Sequence, residues 1–240
     1  MTRRLWIADE AAADRAWLTG EHARHLANVL RAEVGQEFDV VSDGRTRRGK
    51  ITEVTTERVT FELGDDVAVA PLPTVHLVMA VYKFDRMEWA IEKCVELGVA
   101  SIQPFIASRT DSHLAKSAEN RVERWRRLAR QAAEQSRRPL ATELKVPVRL
   151  RDIEAYAALR IVLAENERER SLADALSEAR ATSEAGSVHL AIGPEGGWAD
   201  GELQWLAEAG WTSASLGPTI LRAETAAIAA TAITFSLLTR

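Results

Sequence analysis

The stretch LGPTILRAETAAIAA, residues 216–230, opens as a glycine turn and closes as an alanine-rich helix. At the join stand Arg222, Glu224 and Thr225, three polar groups in four positions ahead of an apolar run. Such residues at a helix mouth either cap its free N–H groups or mark the place where chemistry happens. A second stretch, AIGPEGGW (191–198), is built alike: an apolar strand ends, a glycine loop follows, and a helix begins. Ligands of open α/β sheets bind at the carboxyl ends of strands, so the two loops are expected to line one pocket. Glycines there let the backbone approach a ligand closely. Neither loop carries a Walker Gly-Lys-Ser/Thr, a G-x-G-x-x-G or any lysine, which argues against a dinucleotide or nucleoside triphosphate. Taken alone, GPEGG also reads as a tight turn and helix entry, with Glu195 a first-turn acid favoured by the helix dipole.

Outward from these loops, strands and helices alternate. VHLVMAV (75–81), VASIQPFIA (99–107), RIVLAE (160–165), SVHLAIG (187–193) and WTSASLG (211–217) read as strands. DRMEWAIEKCVELG (85–98) reads as a helix with Met87, Ile91, Cys94 and Val95 on one stripe and Gly98 as its stop. An arginine-rich helix near 118–136 turns Val122, Trp125, Leu128 and Ala132 inward; SLADALSEA is helical; DGELQWLAEAG (200–210) starts a helix with Asp200 as N-cap; 223–238 is the last helix. That alternation predicts an α/β domain with a mostly parallel sheet. Residues 1–70 differ: EFDVVSD, RGKITEV and RVTFELG are short strands, preceded by a helical piece, GEHARHLANVLR (20–31), with His22, Leu26, Val29 and Leu30 on one face. A small β-barrel is expected there. The prolines of APLPT (70–74) mark the junction, giving domains 1–72 and 73–240.

The bulk properties exclude several classes. Hydrophobic content of 46% with 28% charged residues is that of a soluble globular chain of 240 residues. The longest apolar stretch, Ala226 to Leu238, is broken by Thr231, Thr234 and Ser236 and is too short to span a bilayer. The first residues have no signal-peptide core. One cysteine, Cys94, rules out an internal disulfide, and five scattered histidines make no metal cluster. A cytoplasmic, metal-free protein is expected. Net charge is −4, yet RTRRGK (45–50) carries four positive charges, and seven arginines between 121 and 138 face only Glu123 and Glu134. These are either solvated faces or phosphate contacts for RNA.

IGPEGG followed about twenty residues later by LGxxILRxETA resembles the ribosomal RNA small subunit methyltransferase E family. KFDRMEWAIEKCVELGVASIQPF (83–105), RWRRLARQAAEQSRR (124–138) and HARHLANVLR (22–31) resemble further segments of it, so the likeness covers nearly the whole chain. The resemblance implies methylation of N3 of a uridine in 16S ribosomal RNA, uridine 1498, with S-adenosylmethionine as cofactor. It implies a SPOUT-type α/β domain with a C-terminal trefoil knot, preceded by a PUA-like barrel, in a homodimer whose active site lies near the subunit interface. Its partner would be 16S ribosomal RNA or the small ribosomal subunit.

By the same likeness, Ile192, Gly193, Pro194, Glu195, Gly196 and Gly197 form one wall of the cofactor slot. Leu216, Gly217, Ile220, Leu221 and Ala226 form a second, and the strand end Leu163, Ala164 and Glu165 a third. Arg222 is expected to stabilise charge developing on the uridine oxygens, with Glu224 orienting Arg222 or contacting the base. The alternative is a capped helix with Arg222 salt-bridged beside it. RNA contacts are expected from Arg31, Arg45, Arg47, Arg48 and Lys50 in the barrel. In the catalytic domain they are expected from Arg109, Glu134, Gln135, Ser136, Arg137 and Arg138. Thr219 and Ala223 depart from the family pattern, which usually has arginine and threonine there. Two further functions fit the residues: a SPOUT methyltransferase acting on another RNA such as transfer RNA, and a non-catalytic RNA-binding protein.

Overall fold

Alternating apolar residues and tight turns bend the first part of the chain into a curled sheet. The computed structural model describes residues 5–67, 73–136, 138, 142–181 and 186–239. It divides into two compact units, residues 1–71 with 137–140, and the remainder. The expected junction at 72/73 abuts residues 68–72, which lie outside the described ones.

In the first unit, β1 (Leu5–Ile7), β2 (Glu10–Ala12) and β3 (Arg15–Thr19) precede a short helix, α1 (Gly20–Arg24). Strands β4 (Glu37–Ser42), β5 (Arg45–Val54) and β6 (Arg58–Asp66) complete a six-stranded sheet in the order β1-β4-β5-β6-β3-β2. β4 and β5 are joined by Asp43-Gly44, both at positive φ, the two-residue turn whose twist matches the hairpin. The basic run therefore lies along β5 itself. Trp6, Leu18, Leu26, Val40, Ile51 and Phe61 fill the interior. The helical piece differs from expectation. After α1 it widens into a π-turn, His25–Val29, closed by Leu30 N–H donating to the His25 carbonyl at 3.1 Å. The extra residue per turn rotates Val29 off the buried stripe, and it stands 66% exposed while Ala23 and Leu26 are buried.

The second unit runs β7 (Thr74–Ala80), α2 (Phe84–Leu97), β8 (Ser101–Ile106), α3 (Ser112–Ser117), α4 (Val122–Gln135), β9 (Glu143–Leu144) and β10 (Val148–Arg149). It continues through β11 (Leu159–Leu163), α5 (Leu172–Ala181), β12 (Ser187–Ile192), α6 (Asp200–Glu208), β13 (Thr212–Ala214) and α7 (Ala223–Leu238). The strands form one parallel sheet in the order β10-β8-β7-β12-β11-β13, with β9 also on β8. Both faces are covered, which is why its central strands read as unbroken apolar runs. On β7, Val75, Leu77 and Met79 face a core with Met87, Ile91, Cys94, Trp125 and Ala227. Val78 and Ala80 face the other side, with Phe105, Trp198, Leu206 and Trp211. The N-cap of α6 is Ala199 rather than the expected Asp200. Glu202 does the capping, its Oε2 accepting from the Ala199 N–H at 2.9 Å and Oε1 from the Ser108 N–H at 2.7 Å.

A polar cluster lies in the amino-terminal halves of the central strands. His76 and His189 are cross-strand partners, stacked at 4.6 Å, with Tyr156 edge-on to both. The Ser101 hydroxyl lies 2.7 Å from Nδ1 of His76, whereas Nδ1 of His189 is buried without a partner. Burial first, then His76, Lys145 and Arg160, pushes the His189 pKa down to about 4. Burial likewise lowers His76. The folded state thus holds fewer protons here than the unfolded chain, so this contribution is full above the ordinary histidine pKa and is lost as pH falls towards 4. Urea midpoints should drop between about pH 7 and pH 4.5, and His189→Gln should remove on the order of 2–3 kcal/mol of that pH dependence. Parallel pH profiles for variant and parent would refute this.

Candidate functional site

The carboxyl ends of β11, β12 and β13 open onto a cavity of about 330 Å³, within the range of small-molecule sites. Its walls include Leu163, Ala164 and Glu165 after β11; Ile192, Gly193, Pro194, Glu195 and Gly197 after β12; and Leu216, Gly217, Ile220, Leu221 and Ala226 around the entry to α7. The two glycine loops and the LAE strand end therefore meet in one pocket. Gly196 does not line it. Its carbonyl accepts from Arg109 Nη1 at 3.0 Å, and a Cβ added at 196 would lie 3.3 Å from the Arg109 Cβ.

Trp198 holds the walls together. Its Nε1–H donates to the Leu163 carbonyl at 2.8 Å, and its ring stacks on Phe105 at 5.7 Å. Gly193 lies flat against that indole, where a Cβ would fall 2.8 Å from Nε1. Gly197 closes the loop at φ +72°, its N–H donating to the Pro194 carbonyl at 2.9 Å, and an added Cβ would run into the Glu165 carboxylate. Opposite, Ala164 N–H donates to the Ala214 carbonyl at 3.0 Å and Ser215 N–H to the Arg170 carbonyl at 2.9 Å. Beyond Ser215 the pattern stops. Among the described residues, none of the N–H groups of Leu216, Gly217, Thr219, Ile220 and Leu221 donates to another protein group. The residues of that run line the cavity.

The charged groups divide sharply. Arg222 occupies the N-cap position of α7 without a side-chain capping bond, lines the cavity, is exposed, and has no ion-pair partner among the described residues. Glu224 is only 5% exposed, and its Oε2 is buried without a hydrogen-bond partner. Neither caps the helix, and Glu224 does not pair with Arg222. It faces Arg86 of α2, whose Nε is 3.9 Å from Glu224 Oε1 and whose Nη1 donates to Glu195 Oε1 at 2.7 Å. The buried Tyr82 hydroxyl nearby is held well above its usual pKa by desolvation, with Cys94, Glu224 and Glu195 adding to the shift. Burial pushes the Cys94 thiol up to about 12, so it stays protonated and inert.

Sequence reasoning missed Arg86, Arg168, Trp198, Ser215, Thr219 and Ala223, all of which line the cavity. Trp198 was within reach, since it closes the GPEGGW loop. Arg86 was not: its carboxylate partner Glu195 lies 109 residues away.

The basic residues are more engaged than their sequence suggests. Arg45 pairs with Asp66, Arg47 donates to the Ala13 carbonyl at 2.9 Å and the Ser42 hydroxyl at 3.2 Å, and Arg48 lies 3.5 Å from Asp39. Lys50 and Arg31 are exposed, Arg31 at φ 49°. On α4, Glu134 and Gln135 are exposed, while the Ser136 hydroxyl donates to the Ala132 carbonyl at 2.6 Å. Arg137 lies outside the described residues, and Arg138 groups with the first unit, its guanidinium pKa lowered by burial. Among the described residues, no three His, Cys, Asp or Glu side chains gather as a metal site, and no helix is long and apolar enough to cross a membrane.

Residues 70–234 match the model of an RNA methyltransferase domain, and residues 18–64 that of an RNA methyltransferase PUA domain. Ribosomal RNA small subunit methyltransferase E of Bacillus subtilis is 32% identical over 224 residues, covering 87% of this chain and 85% of that protein. The protein of the same name from Mycobacterium bovis is 34% identical over 226 residues, covering 90% and 84%. Among solved structures, ribosomal RNA small subunit methyltransferase E from Neisseria gonorrhoeae, bound to S-adenosyl methionine, superposes with a TM-score of 0.67 at 27% identity, covering 97% of each chain.

The cavity rim depends on Gly197. Gly197→Ala combines a left-handed backbone with the Glu165 collision and should cost about 1–3 kcal/mol. A urea titration with an unchanged midpoint would mean that the loop rearranges freely.

Proposed function

Because the chain belongs to the ribosomal RNA small subunit methyltransferase E family, we propose that it methylates N3 of a uridine in 16S ribosomal RNA, uridine 1498, using S-adenosylmethionine. The observation that carries this reading is that one cavity is lined both by a run of residues whose N–H groups, among the described residues, bond to no protein group and by an arginine with no ion pair among them. The residues fit the cofactor. Backbone N–H groups among Leu216, Gly217, Thr219, Ile220 and Leu221 suit the edge of an adenine, and Leu163, Ile192, Leu216, Leu221 and Ala226 supply apolar walls. When bound, S-adenosylmethionine supplies a methyl group already activated by its sulfonium.

The protein's own part is positioning and charge. Loss of the uridine N3 proton to solvent spreads negative charge over O2 and O4, and that charge would be consumed as N3 takes the methyl group and the donor's sulfur–methyl bond breaks to leave a neutral thioether. Arg222, exposed at the cavity and free of a carboxylate, meets that charge. Glu224, buried against Arg86 rather than open to the cavity, holds the mouth of α7 from which Arg222 projects. The C-terminal segment forms a trefoil knot, a reading that rests on the family; β13 pairs with β11 on the side away from β12, and α7 packs back against α2, α5, β7 and β12. Domain 73–240 carries the methyltransferase and domain 1–72 a PUA-like barrel that grips RNA through Arg31, Arg45, Arg47, Arg48 and Lys50. Arg109 and the segment Glu134 to Arg138 add further contacts. The chain works in the cytoplasm as a homodimer, a reading that rests on the family alone.

Unmodified small subunits incubated with the protein and cofactor should gain one methyl at uridine N3, mapped by mass spectrometry. Methyl on a ribose, or on transfer RNA alone, would overturn the reading. No calorimetric affinity for S-adenosylmethionine would favour a binding module, to which Thr219 and Ala223 lend support. Arg222→Ala should lower kcat by about 100- to 1,000-fold while cofactor affinity stays within about threefold.

A further inference from the structure

We propose that Arg86 is a positioning residue for the methyl donor, a guanidinium clamp on α2 that fixes the GPEGG loop and the first turn of α7 at the separation the cavity requires. The inference rests on reading that cavity as the methyl-donor slot.

Arg86 stands in the first turn of α2 and is itself a cavity wall. Its two carboxylate partners come one from each glycine loop's end: Glu195, at 2.7 Å, from the loop after β12, and Glu224, at 3.9 Å, from the start of α7. Among the described residues, no other cation lies within 4.0 Å of either carboxylate. Arg222, two residues from Glu224, is turned to the cavity and takes no part. The platform under the clamp is rigid. Met87, Ala90, Ile91, Cys94 and Val95 of α2 are buried, and Thr231 of α7 points its hydroxyl at the Cys94 sulfur, 3.7 Å away.

The loops need such a tie, since their own backbones supply little. The GPEGG loop is held by one internal turn, by Trp198 on the Leu163 carbonyl and by Arg109 on the Gly196 carbonyl, none of which reaches α7. The 216–221 segment has no N–H bonded to protein. A planar fork reaching two carboxylates fixes direction as well as distance, which a single ammonium does less well. Glu224 is buried, so stripping the one cation beside it among the described residues leaves a desolvated charge, and the first turn of α7 must then shift to find water. The clamp therefore acts on cofactor binding rather than on the chemistry of the base.

The test compares Arg86→Ala, Arg86→Lys and Glu195→Gln with the parent full-length protein. Calorimetry with S-adenosylmethionine should show Kd raised about tenfold or more in R86A and in E195Q, with R86K recovering most of the loss. The double variant R86A/E195Q should be little worse than R86A alone, as for two members of one contact. At saturating cofactor, kcat on small subunits should stay within about threefold. In ligand-free protein, hydrogen exchange at 195–197 and 223–226 should quicken at least about fivefold in R86A while the β7 and β12 amides keep their protection. Unchanged Kd with unchanged exchange would overturn the clamp, and so would a collapse of kcat at unchanged Kd. If even the parent protein binds no S-adenosylmethionine, the methyl-donor reading fails, while the exchange comparison still decides whether Arg86 ties the loops.

Discussion

Strand β12 is bonded on both sides, to β7 through six registered pairs and to β11 through five, and everything at the candidate site depends on that. Parallel pairing fixes where each strand ends. Ile192 stands level with Leu163 and with Met79, so the chain leaving β12 enters the same space as the chain leaving β11. β13 in turn sets Ala214 beside Leu163, so the third loop starts from the same level. Three loops issuing from one line over a sheet buried on both faces have only one direction to go. The cavity is thus a consequence of register before it is a matter of side chains.

What was legible in sequence follows from the range of the interactions involved. The central strands could be read because burial on both faces demands continuous apolar runs, and the glycine loops because the Trp198 ring leaves little room for a Cβ at 193 and the left-handed backbone at 197 favours glycine. The hairpin at Asp43-Gly44 is equally local. Errors begin where a local pattern admits two geometries. In 20–31 the helical spacing was present, but a π-turn carried Val29 to the surface, and periodicity alone does not distinguish 3.6 residues per turn from a locally wider winding. At the start of α6 the obvious cap, Asp200, was passed over because Glu202 bonds both its own helix mouth and the Ser108 N–H.

Charges were the least legible feature. A run such as RTRRGK shows cations without counter-ions, yet folding brings Asp66 to Arg45, Asp39 to Arg48 and the Ala13 carbonyl to Arg47. These pairs are exposed or half-exposed, each worth at most about 1 kcal/mol, and phosphate can compete with them. The pair formed by Arg86 with Glu195 and Glu224 is different in kind, because Glu224 is removed from water. Neither carboxylate is near Arg86 in sequence, and no pattern in the KFDRMEW segment marks its arginine as anything but a solvated residue of a helix start.

The two arginines at this site differ in whether their charge is already spent. Arg86 has its field absorbed by two carboxylates, so what it offers a ligand is geometry. Arg222 has no carboxylate within reach among the described residues, so its field remains directed into the cavity. Had Glu224 paired with Arg222, as its position two residues away suggests, the carboxylate would have cancelled the charge most useful to a developing anion. Burying Glu224 towards α2 avoids that cancellation and leaves the buried carboxylate with the one cation it needs. Residues two positions apart at the mouth of α7 therefore serve opposite requirements, one kept dry to hold the wall and one kept wet and, among the described residues, unpaired to act on what the wall encloses.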